Sequence, residues 1–490
     1  MTKLIKPFPV LGLLLILISC SSTPPIQPTP QLSGTSSAPV EEGSTAIPTR
    51  PFYKPGQFVD YIAQTGDTIP ALASHFNTTI PEIMAANPII PPDATTMPPG
   101  LPIKIPIYYR ELWGTSYKSI PDNAFVNGPT LIGFDTSAFV ASHSGWLEDY
   151  VGYAGGEYRT GAEIVDYVAT NYSVSPRLLL ALLEFQAGAL SLPKEPKSEY
   201  ILGFDVLYSE TVYYQLIIAA QTLNNGYYGW RAGNLIEFQR PDQTIVRPDP
   251  WLNAGSVGIQ YYFAQLFSGA EYDRAVGPNG LAKTFNDLFG NPWNNNLVLI
   301  PGSLKQPNML LPFARNQIWT YTGGPHTGWG SGEPFAAIDF GPPSQFHGCF
   351  TVDPQDYAIA AATGLVVRST IDGLALDLDG DGDERTGWVI FYLHLAGATR
   401  APLGKQLQAG DFIGYPSCQG GEVTGTHVHI ARKYNGEWIL ADGPLAFNLE
   451  GWITHAGAVA YQGTLTRNGA TVTACQCSDY NSDIKSGAGP

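Results

Sequence analysis

The stretch GTHVHIARKYNGEW, residues 425–438, constrains the fold more than any other part of the chain. Side chains in an extended strand alternate between two faces, so His427 and His429 share one face and Val428 lies on the other. The Asn-Gly pair that follows is typical of a tight turn at residues 434–437. The stretch therefore predicts a hairpin that presents two imidazoles together, an arrangement that is costly to bury without a purpose.

The length and charge of the chain limit its architecture and its partners. At 490 residues it is too long for a single core, so we expect two to four domains. The net charge is −16 although only 14% of the residues are charged, and there are 53 Gly and 41 Pro. An acidic surface repels phosphate, which argues against nucleic acid as a partner. The composition favours an extracytoplasmic, loop-rich protein.

The first residues predict export. In residues 1–20, Lys3 and Lys6 precede an apolar run that is too short to span a bilayer comfortably, which is typical of a secretory signal. The sequence LISC resembles the bacterial lipobox, which implies that Cys20 is lipidated and anchors the protein to a membrane; an uncleaved anchor is the alternative. Residues 21–55, rich in Ser, Thr and Pro, are predicted to be an extended tether.

A small globular region is predicted over residues 56–108. Alternating apolar residues indicate a strand at each end, with two short helices between them. Asp67 is the expected cap of the first helix, and Thr79 with Glu82 forms a capping box for the second. The predicted order is strand, helix, helix, strand.

Four motifs in this region closely resemble a LysM module. They are QTGDT, FN, IMAAN and GLPIKIP, beginning at Gln64, Phe76, Ile83 and Gly100. The resemblance implies binding of N-acetylglucosamine-containing glycans such as peptidoglycan or chitin. A packing domain without a ligand is the alternative.

Residues 110–310 are predicted to be mainly helical. Apolar residues recur at helical spacing over residues 161–190, with Ser173 or Ser175 before the second helix, and again over residues 211–223 and 255–266. The sequence VSPRLLLALL faintly resembles the core helix of lysozyme-like lytic transglycosylases, but Gln186 stands at the position of their catalytic glutamate. An amide cannot donate and recover a proton as a carboxylic acid does. We interpret the region as a glycan-binding or spacing element; glycan cleavage through Glu184 is the alternative.

The region of residues 311–465 has the pattern of a β-rich domain. Runs such as TGLVVRS, WVIFYLHL and HVHIAR are separated by Gly, Asp and Pro.

A catalytic zinc ion takes three protein ligands and leaves a fourth position for water. His326, Asp339 and His429 are the predicted ligands, and Zn²⁺ is the predicted cofactor.

The segments GPH, AAID, FYLHL and GTHVH resemble the M23 metallopeptidases of the lysostaphin and LytM type, which cut peptide bonds in the stem or cross-bridge of peptidoglycan. The resemblance implies that His429, the second histidine of His-x-His, binds zinc. It also implies that His427 and His394 are catalytic, because they would orient or deprotonate the water and stabilise the oxyanion.

The spacing of the first two ligands departs from the His-x-x-x-Asp pattern that is common in this family. His326 lies thirteen residues before Asp339, and Phe335 stands where the pattern has histidine. If the Gly-rich residues 328–332 fold out as a loop, the chain returns and the ligand set is kept. His347 is the spare candidate for the first ligand.

Five cysteines are present, and four remain if Cys20 carries lipid. An even number in an oxidising compartment predicts two disulfides, for which three connectivities exist. A direct bond between Cys475 and Cys477 would be strained, so each of these cysteines is expected to reach elsewhere. Both lie in the predicted C-terminal tail, residues 466–490. A zinc site formed by the four thiols is the lesser alternative.

Some conspicuous residues receive structural interpretations. The acidic run of residues 377–384 begins like a calcium-binding loop, but position twelve is Trp388, so a solvated hairpin tip is favoured over a calcium site. The histidines outside the motifs are interpreted as structural: His75, His143, His347 and His455.

Two hypotheses for the whole chain follow. The first is a multidomain, lipid-anchored, zinc-dependent endopeptidase that binds peptidoglycan through LysM and hydrolyses its peptides. The second is a non-catalytic, LytM-like scaffold that binds peptidoglycan and activates a cell-wall amidase. Scaffolds of that kind generally lose zinc ligands, so zinc content separates the two.

Overall fold

The computed structural model describes residues 52–108, 110, 113–295, 297–343, 348–349, 352–421, 423–477 and 480–487. By its internal contacts the chain forms two units, residues 1–45 and residues 46–490. All described residues belong to the second unit. The signal peptide, Cys20, most of the tether and His347 lie outside the described residues. Among the helices that are described, none combines the length and hydropathy needed to cross a bilayer.

The N-terminal region has the predicted order of elements: β1 (Gln57–Ile62), α1 (Ile69–His75), α2 (Ile80–Ala86) and β2 (Pro102–Ile107). The strands pair in antiparallel fashion, and the predicted capping box of α2 is confirmed. The predicted cap of α1 is wrong, because Thr68 and not Asp67 accepts the hydrogen bond at its N-terminus. The Asp67 carboxylate instead accepts hydrogen bonds from the Tyr61 hydroxyl and the Gln64 N–H, both at 2.7 Å.

The middle region is mainly helical. Its helices are α3 (Asp122–Phe125), α4 (Thr136–Ala141), α5 (Gly161–Tyr172), α6 (Pro176–Ala187), α7 (Val212–Ala232), α8 (Ala254–Ala264), α9 (Gly269–Val276) and α10 (Leu281–Phe289). Two small hairpins accompany them: β3 (Val151–Ala154) with β4 (Glu157–Thr160), and β5 (Phe238–Gln239) with β6 (Ile245–Val246). Ser175 caps α6 through the Leu178 N–H, whereas Ser173 ends α5 in the left-handed conformation. We refer to this part of the chain as the helical region.

The C-terminal region is built from strands, as predicted. They are β7 (Ile318–Thr327), β8 (Phe335–Gly341), β9 (Ala358–Ile359), β10 (Gly364–Thr370), β11 (Gly373–Asp377), β12 (Trp388–Leu393), β13 (Gln406–Leu407), β14 (Phe412–Gly414), β15 (Val428–Tyr434), β16 (Glu437–Trp438), β17 (Asn448–Leu449), β18 (Trp452–Ala456), β19 (Gly463–Arg467), β20 (Ala470–Thr473) and β21 (Asp483–Lys485). The main sheet has the order β13-β10-β11-β12-β15-β8-β7-β21, with β16 paired to β15. The predicted hairpin turn is confirmed by the pairing of Tyr434 with Glu437.

The two faces of the main sheet have different neighbours. Val428 and Ile430 in β15 belong to the core of the C-terminal region itself. Ala431 and its partner Ala337 in β8 lie on the other face and belong to the core of the helical region. Since side chains alternate along a strand, His429 shares the face that the helical region covers.

The acidic run lies in the connection between the paired strands β11 and β12, which agrees with the predicted hairpin tip. It is only partly solvated, because Asp377 is fully buried and its carboxylate accepts hydrogen bonds from the backbone N–H groups of Asp379, Gly380 and Gly382. The backbone of the tip therefore satisfies the buried carboxylate.

The cysteines form two disulfides among the described residues, Cys349 with Cys418 and Cys475 with Cys477. The number of bonds agrees with the prediction, but the expectation that Cys475 and Cys477 reach elsewhere is wrong. Their Cα atoms lie 5.0 Å apart, which is within the span that a disulfide bridges. The alternative of a zinc site formed by the four thiols is excluded by this pairing.

One buried arginine joins the three regions. Arg231, at the end of α7, forms ion pairs of 2.9 Å with Asp122 of α3 and with Glu437 of β16. It also donates a hydrogen bond to the Thr65 carbonyl in the loop between β1 and α1. Because a buried charge is costly unless it is paired, these contacts fix the N-terminal, helical and C-terminal regions against one another.

The contact between α1 and α7 makes stability sensitive to acid. His75 stacks on Trp230 with ring centroids 3.4 Å apart, and its ring is hydrogen-bonded to the Trp230 carbonyl. Burial lowers the pKa of His75 to about 3. On acidification, His75 is therefore protonated first in the unfolded chain, near pH 6.5. The free energy of unfolding then falls by up to about 1.4 kcal/mol per pH unit between about pH 6.5 and pH 3. In thermal melts at pH 7 and pH 4, we expect His75→Phe to lose less stability on acidification than the wild type. An equal loss in both proteins would contradict this assignment.

Candidate metal centre

Three buried side chains converge on the covered face of the main sheet. Asp339 in β8 lies directly opposite His429 in β15, and irregular pairing in β7 brings His326 to the same place. His326 Nε2 lies 3.3 Å from Asp339 Oδ1, His429 Nδ1 lies 3.4 Å from the same oxygen, and the two nitrogens are 3.1 Å apart. At most 5% of each residue is exposed.

The geometry and chemistry of these atoms fit a zinc ion. Zinc–ligand distances of about 2.0–2.1 Å in a tetrahedron place ligand atoms about 3.3 Å apart, close to the observed separations. Asp339 Oδ1 is buried and has no hydrogen-bond partner among the described residues, which is costly for a carboxylate oxygen unless a cation meets it. Two imidazole nitrogens and one carboxylate oxygen are the donors of many catalytic zinc sites.

Each histidine at the centre is oriented by a backbone carbonyl. One ring nitrogen of each imidazole lies 2.7–3.1 Å from a backbone carbonyl oxygen. The pairs are His326 with Gly324, His429 with Gly328, His394 with Gln419 and His427 with Gly425. A neutral ring that donates one N–H to a carbonyl presents its other nitrogen as an acceptor. The nitrogens left free are Nε2 of His326, His394 and His427 and Nδ1 of His429.

His427 and His394 lie beside the three candidate ligands. His427 Nε2 is 3.8 Å from Asp339 Oδ1, and the rings of His427 and His394 are 4.6 Å apart. Burial, followed by the neighbouring His427 and His429, lowers the pKa of His394 to about 3, so its ring is neutral at neutral pH. His394 also has a φ of +63°, a backbone conformation that costs about 1–3 kcal/mol and is concentrated at functional sites.

The loop between β7 and β8 accounts for the long spacing of the first two ligands. Residues 328–332 fold out between the strands, as predicted, and the chain returns at Phe335 to pair with Thr327. His326 and Asp339 are thereby kept together. We call residues 327–334 the inserted loop.

One further residue lies at the centre although no sequence motif indicates it. Tyr461, in the turn between β18 and β19, stacks on His326 with ring centroids 4.2 Å apart and an interplanar angle of 20°. Its backbone N–H donates to the Pro325 carbonyl, next to the candidate ligand. Tyr461 lies far from the motifs along the chain, and only the return of β18 and β19 to β7 brings it there.

The residues considered for glycan cleavage serve local structure. Gln186 donates to the Leu202 carbonyl and accepts from the Tyr262 hydroxyl at 2.6 Å. Glu184 accepts a hydrogen bond from the Leu190 N–H at 2.8 Å. Both side chains therefore hold the chain that leaves α6.

Comparison with known proteins agrees with this organisation. The LysM domain family matches residues 61–106, and the family described as "LasA, N-terminal domain" matches residues 118–303. The chain thus contains a LysM domain, and its predicted resemblance to LysM-containing M23 peptidases is confirmed. The lipid anchor stays a prediction.

Two curated relatives are both Protease LasA, from Pseudomonas aeruginosa strains PAO1 and UCBPP-PA14. They are 26% and 27% identical to this chain over 350 residues, which is 66% of this chain and 75% of each relative. Among solved structures, the M23 metalloprotease pseudoalterin from the deep sea is 23% identical, with 34% of this chain and 96% of that chain covered and a TM-score of 0.28. The catalytic domain of lysostaphin from Staphylococcus simulans is 21% identical, with 25% and 88% covered and a TM-score of 0.18. Scores this low support no further conclusion.

Proposed function

We propose that this chain is a zinc-dependent peptidase of the bacterial cell envelope that hydrolyses peptide bonds in peptidoglycan, outside the cytoplasm. The observation that carries the proposal is the buried triangle of His326 Nε2, Asp339 Oδ1 and His429 Nδ1, whose sides of 3.1–3.4 Å suit one zinc ion. The matches to a LysM domain and to proteases named LasA support peptidoglycan as the substrate. A lipid on Cys20 would keep the enzyme at a membrane.

His326, Asp339 and His429 would hold the zinc ion, which when bound supplies Lewis acidity to a water molecule and to the scissile carbonyl. His427 and His394 each commit Nδ1–H to a backbone carbonyl, so Nε2 of each ring accepts a proton. The ring that takes the proton then has an Nε2–H, which can donate to the oxyanion or to the leaving amine.

The LysM domain would bind the glycan strand while the metal centre cuts the attached peptides. The buried ion pairs of Arg231 hold the domain rigidly against the other two regions. Glycan bound at the domain is therefore kept at a fixed distance from the scissile bond, which favours cleavage near the point of binding.

The products of digestion test this function. Purified peptidoglycan treated with the protein should gain free amino groups, detected by amine labelling, without new reducing ends or anhydro-sugars. New sugar ends without new amines would show a glycan-cleaving enzyme. A zinc-loaded protein that releases neither product, but raises the activity of an added amidase, would instead support the scaffold hypothesis.

A matched variant addresses the glycan-cleaving alternative. Glu184→Gln keeps the oxygen that accepts the Leu190 N–H but cannot act as a general acid. We expect it to release peptides within about twofold of the wild type, since a catalytic acid is worth about 10²–10⁴-fold. A loss of activity on that larger scale, with folding unchanged, would contradict a structural role for Glu184.

A further inference from the structure

The inserted loop contacts the metal centre directly. His429 Nε2 lies 3.1 Å from the Gly328 carbonyl. With Nδ1 directed at Asp339 and His326, the ring must carry its hydrogen on Nε2, so it donates to Gly328 and this bond fixes the rotation of the ring. The position of the loop therefore decides how accurately Nδ1 of His429 faces the other two ligands.

The helical region holds the other side of this loop. The Asn225 side chain in α7 accepts a hydrogen bond of 2.8 Å from the Glu333 backbone N–H. The Tyr172 side chain at the end of α5 packs closely against Gly330 in the loop. The loop is thus held by a hydrogen bond to α7 and by packing against α5.

Glycines allow the loop to approach the helices closely. Gly330 and Gly332 both have a backbone φ of +79°, a value that residues other than glycine rarely adopt. A Cβ atom on Gly330 would lie 2.7 Å from the Tyr172 ring, and one on Gly332 would collide with the Asn225 side chain. The loop therefore fits against α5 and α7 without room for larger residues.

We propose that Asn225 is a positioning residue for the zinc ligand His429. It acts through the inserted loop, whose Gly328 carbonyl orients the imidazole. The helical region would accordingly be part of the metal centre of this chain and more than a spacer. This inference rests on the proposed function, because it requires that His429 bind zinc.

The test measures zinc dissociation from the full chain. The zinc-loaded protein is mixed with an excess of a chromogenic chelator, and the rate of zinc transfer is followed. Loss of a direct partner of a metal ligand costs about 10–100-fold in affinity, so loss of a more remote anchor should fall at the lower end. We expect Asn225→Leu to release zinc about five- to tenfold faster than the wild type, and Gly332→Ala, whose Cβ atom would collide with the Asn225 side chain, to do the same.

Two controls separate positioning from general damage. Asn225→Asp keeps an oxygen that can accept the Glu333 N–H and should restore slow release. Thr222→Val, also in α7, removes a hydroxyl that donates a hydrogen bond within the helix, to the Ile218 carbonyl, and should leave the rate unchanged. Substitution of zinc by cobalt gives a second readout, because a misplaced ligand alters the visible absorption of tetrahedral cobalt.

The outcomes distinguish this inference from the proposed function. Wild-type zinc release and cobalt spectra in both Asn225→Leu and Gly332→Ala would overturn the positioning role while leaving peptide hydrolysis intact. Gly332→Ala changes an exposed position of the loop, so it decides the matter if Asn225→Leu does not fold. A wild-type chain that binds no zinc would overturn both proposals.

Discussion

Asp339→Ala is expected to lose zinc and, with it, the release of peptides from peptidoglycan. Asp339 supplies the only carboxylate of the predicted ligand set, and its Oδ1 lies within 3.4 Å of the free nitrogens of both His326 and His429. Without it, two neutral imidazoles would have to hold a divalent cation with no compensating charge. Loss of an outer partner of a ligand already costs about 10–100-fold in metal affinity, so loss of the ligand itself should cost more than about 100-fold.

The measurement is zinc per chain after equilibration with a weak chelator, alongside peptide release. His429→Ala should behave like Asp339→Ala, because it removes the second corner of the same triangle. His143→Ala is the matched control, since His143 lies in the helical region and bonds to the Phe139 carbonyl. Zinc retained at the wild-type ratio in either ligand variant would mean that the metal lies elsewhere.

His427→Ala is expected to show the opposite pattern, with zinc kept and activity lost. His427 Nε2 is 3.8 Å from Asp339 Oδ1, farther than the three predicted ligands are from one another, and its ring is partly exposed. Its place beside the triangle suits proton transfer. Loss of a general base or acid lowers turnover by about 10²–10⁴-fold, and we expect a decrease in that range for His427→Ala and also for His394→Ala.

The comparison of zinc content and turnover in the same preparations decides these roles. His455→Ala is the control, because His455 lies in β18 and bonds to the Thr466 hydroxyl. A His427 variant that loses zinc together with activity would make His427 a ligand. A variant that keeps zinc and full turnover would remove His427 from the mechanism.

The strands that carry the site could be predicted because their signals are local. Alternation around His427 and His429 and the Asn-Gly turn together specify the hairpin of β15 and β16. The opposition of Asp339 and His429 across two strands is a matter of sheet order, which alternation does not encode. The family resemblance, and not periodicity, supplied that part of the predicted site.

Structural features could not be predicted from the sequence where contacts between distant residues override local conformational preference. Asp67 is a good helix cap by type, but the hydroxyl of Tyr61 on β1 and the Gln64 N–H draw its carboxylate away from α1. Tyr461 reaches the centre only because β18 and β19 return to β7. The anchoring of the inserted loop by Asn225 depends on how two regions meet, and no single segment of the sequence contains that information.

The most direct test of a zinc-dependent peptidase is a titration of the metal-free protein. Zinc is removed with a chelator, restored in steps, and the free amino groups released from purified peptidoglycan are counted at each step. We predict that activity is absent without metal, rises in proportion to bound zinc and saturates at about one zinc per chain. Peptide release that is independent of zinc, or full zinc binding with no peptide release, would contradict the proposal.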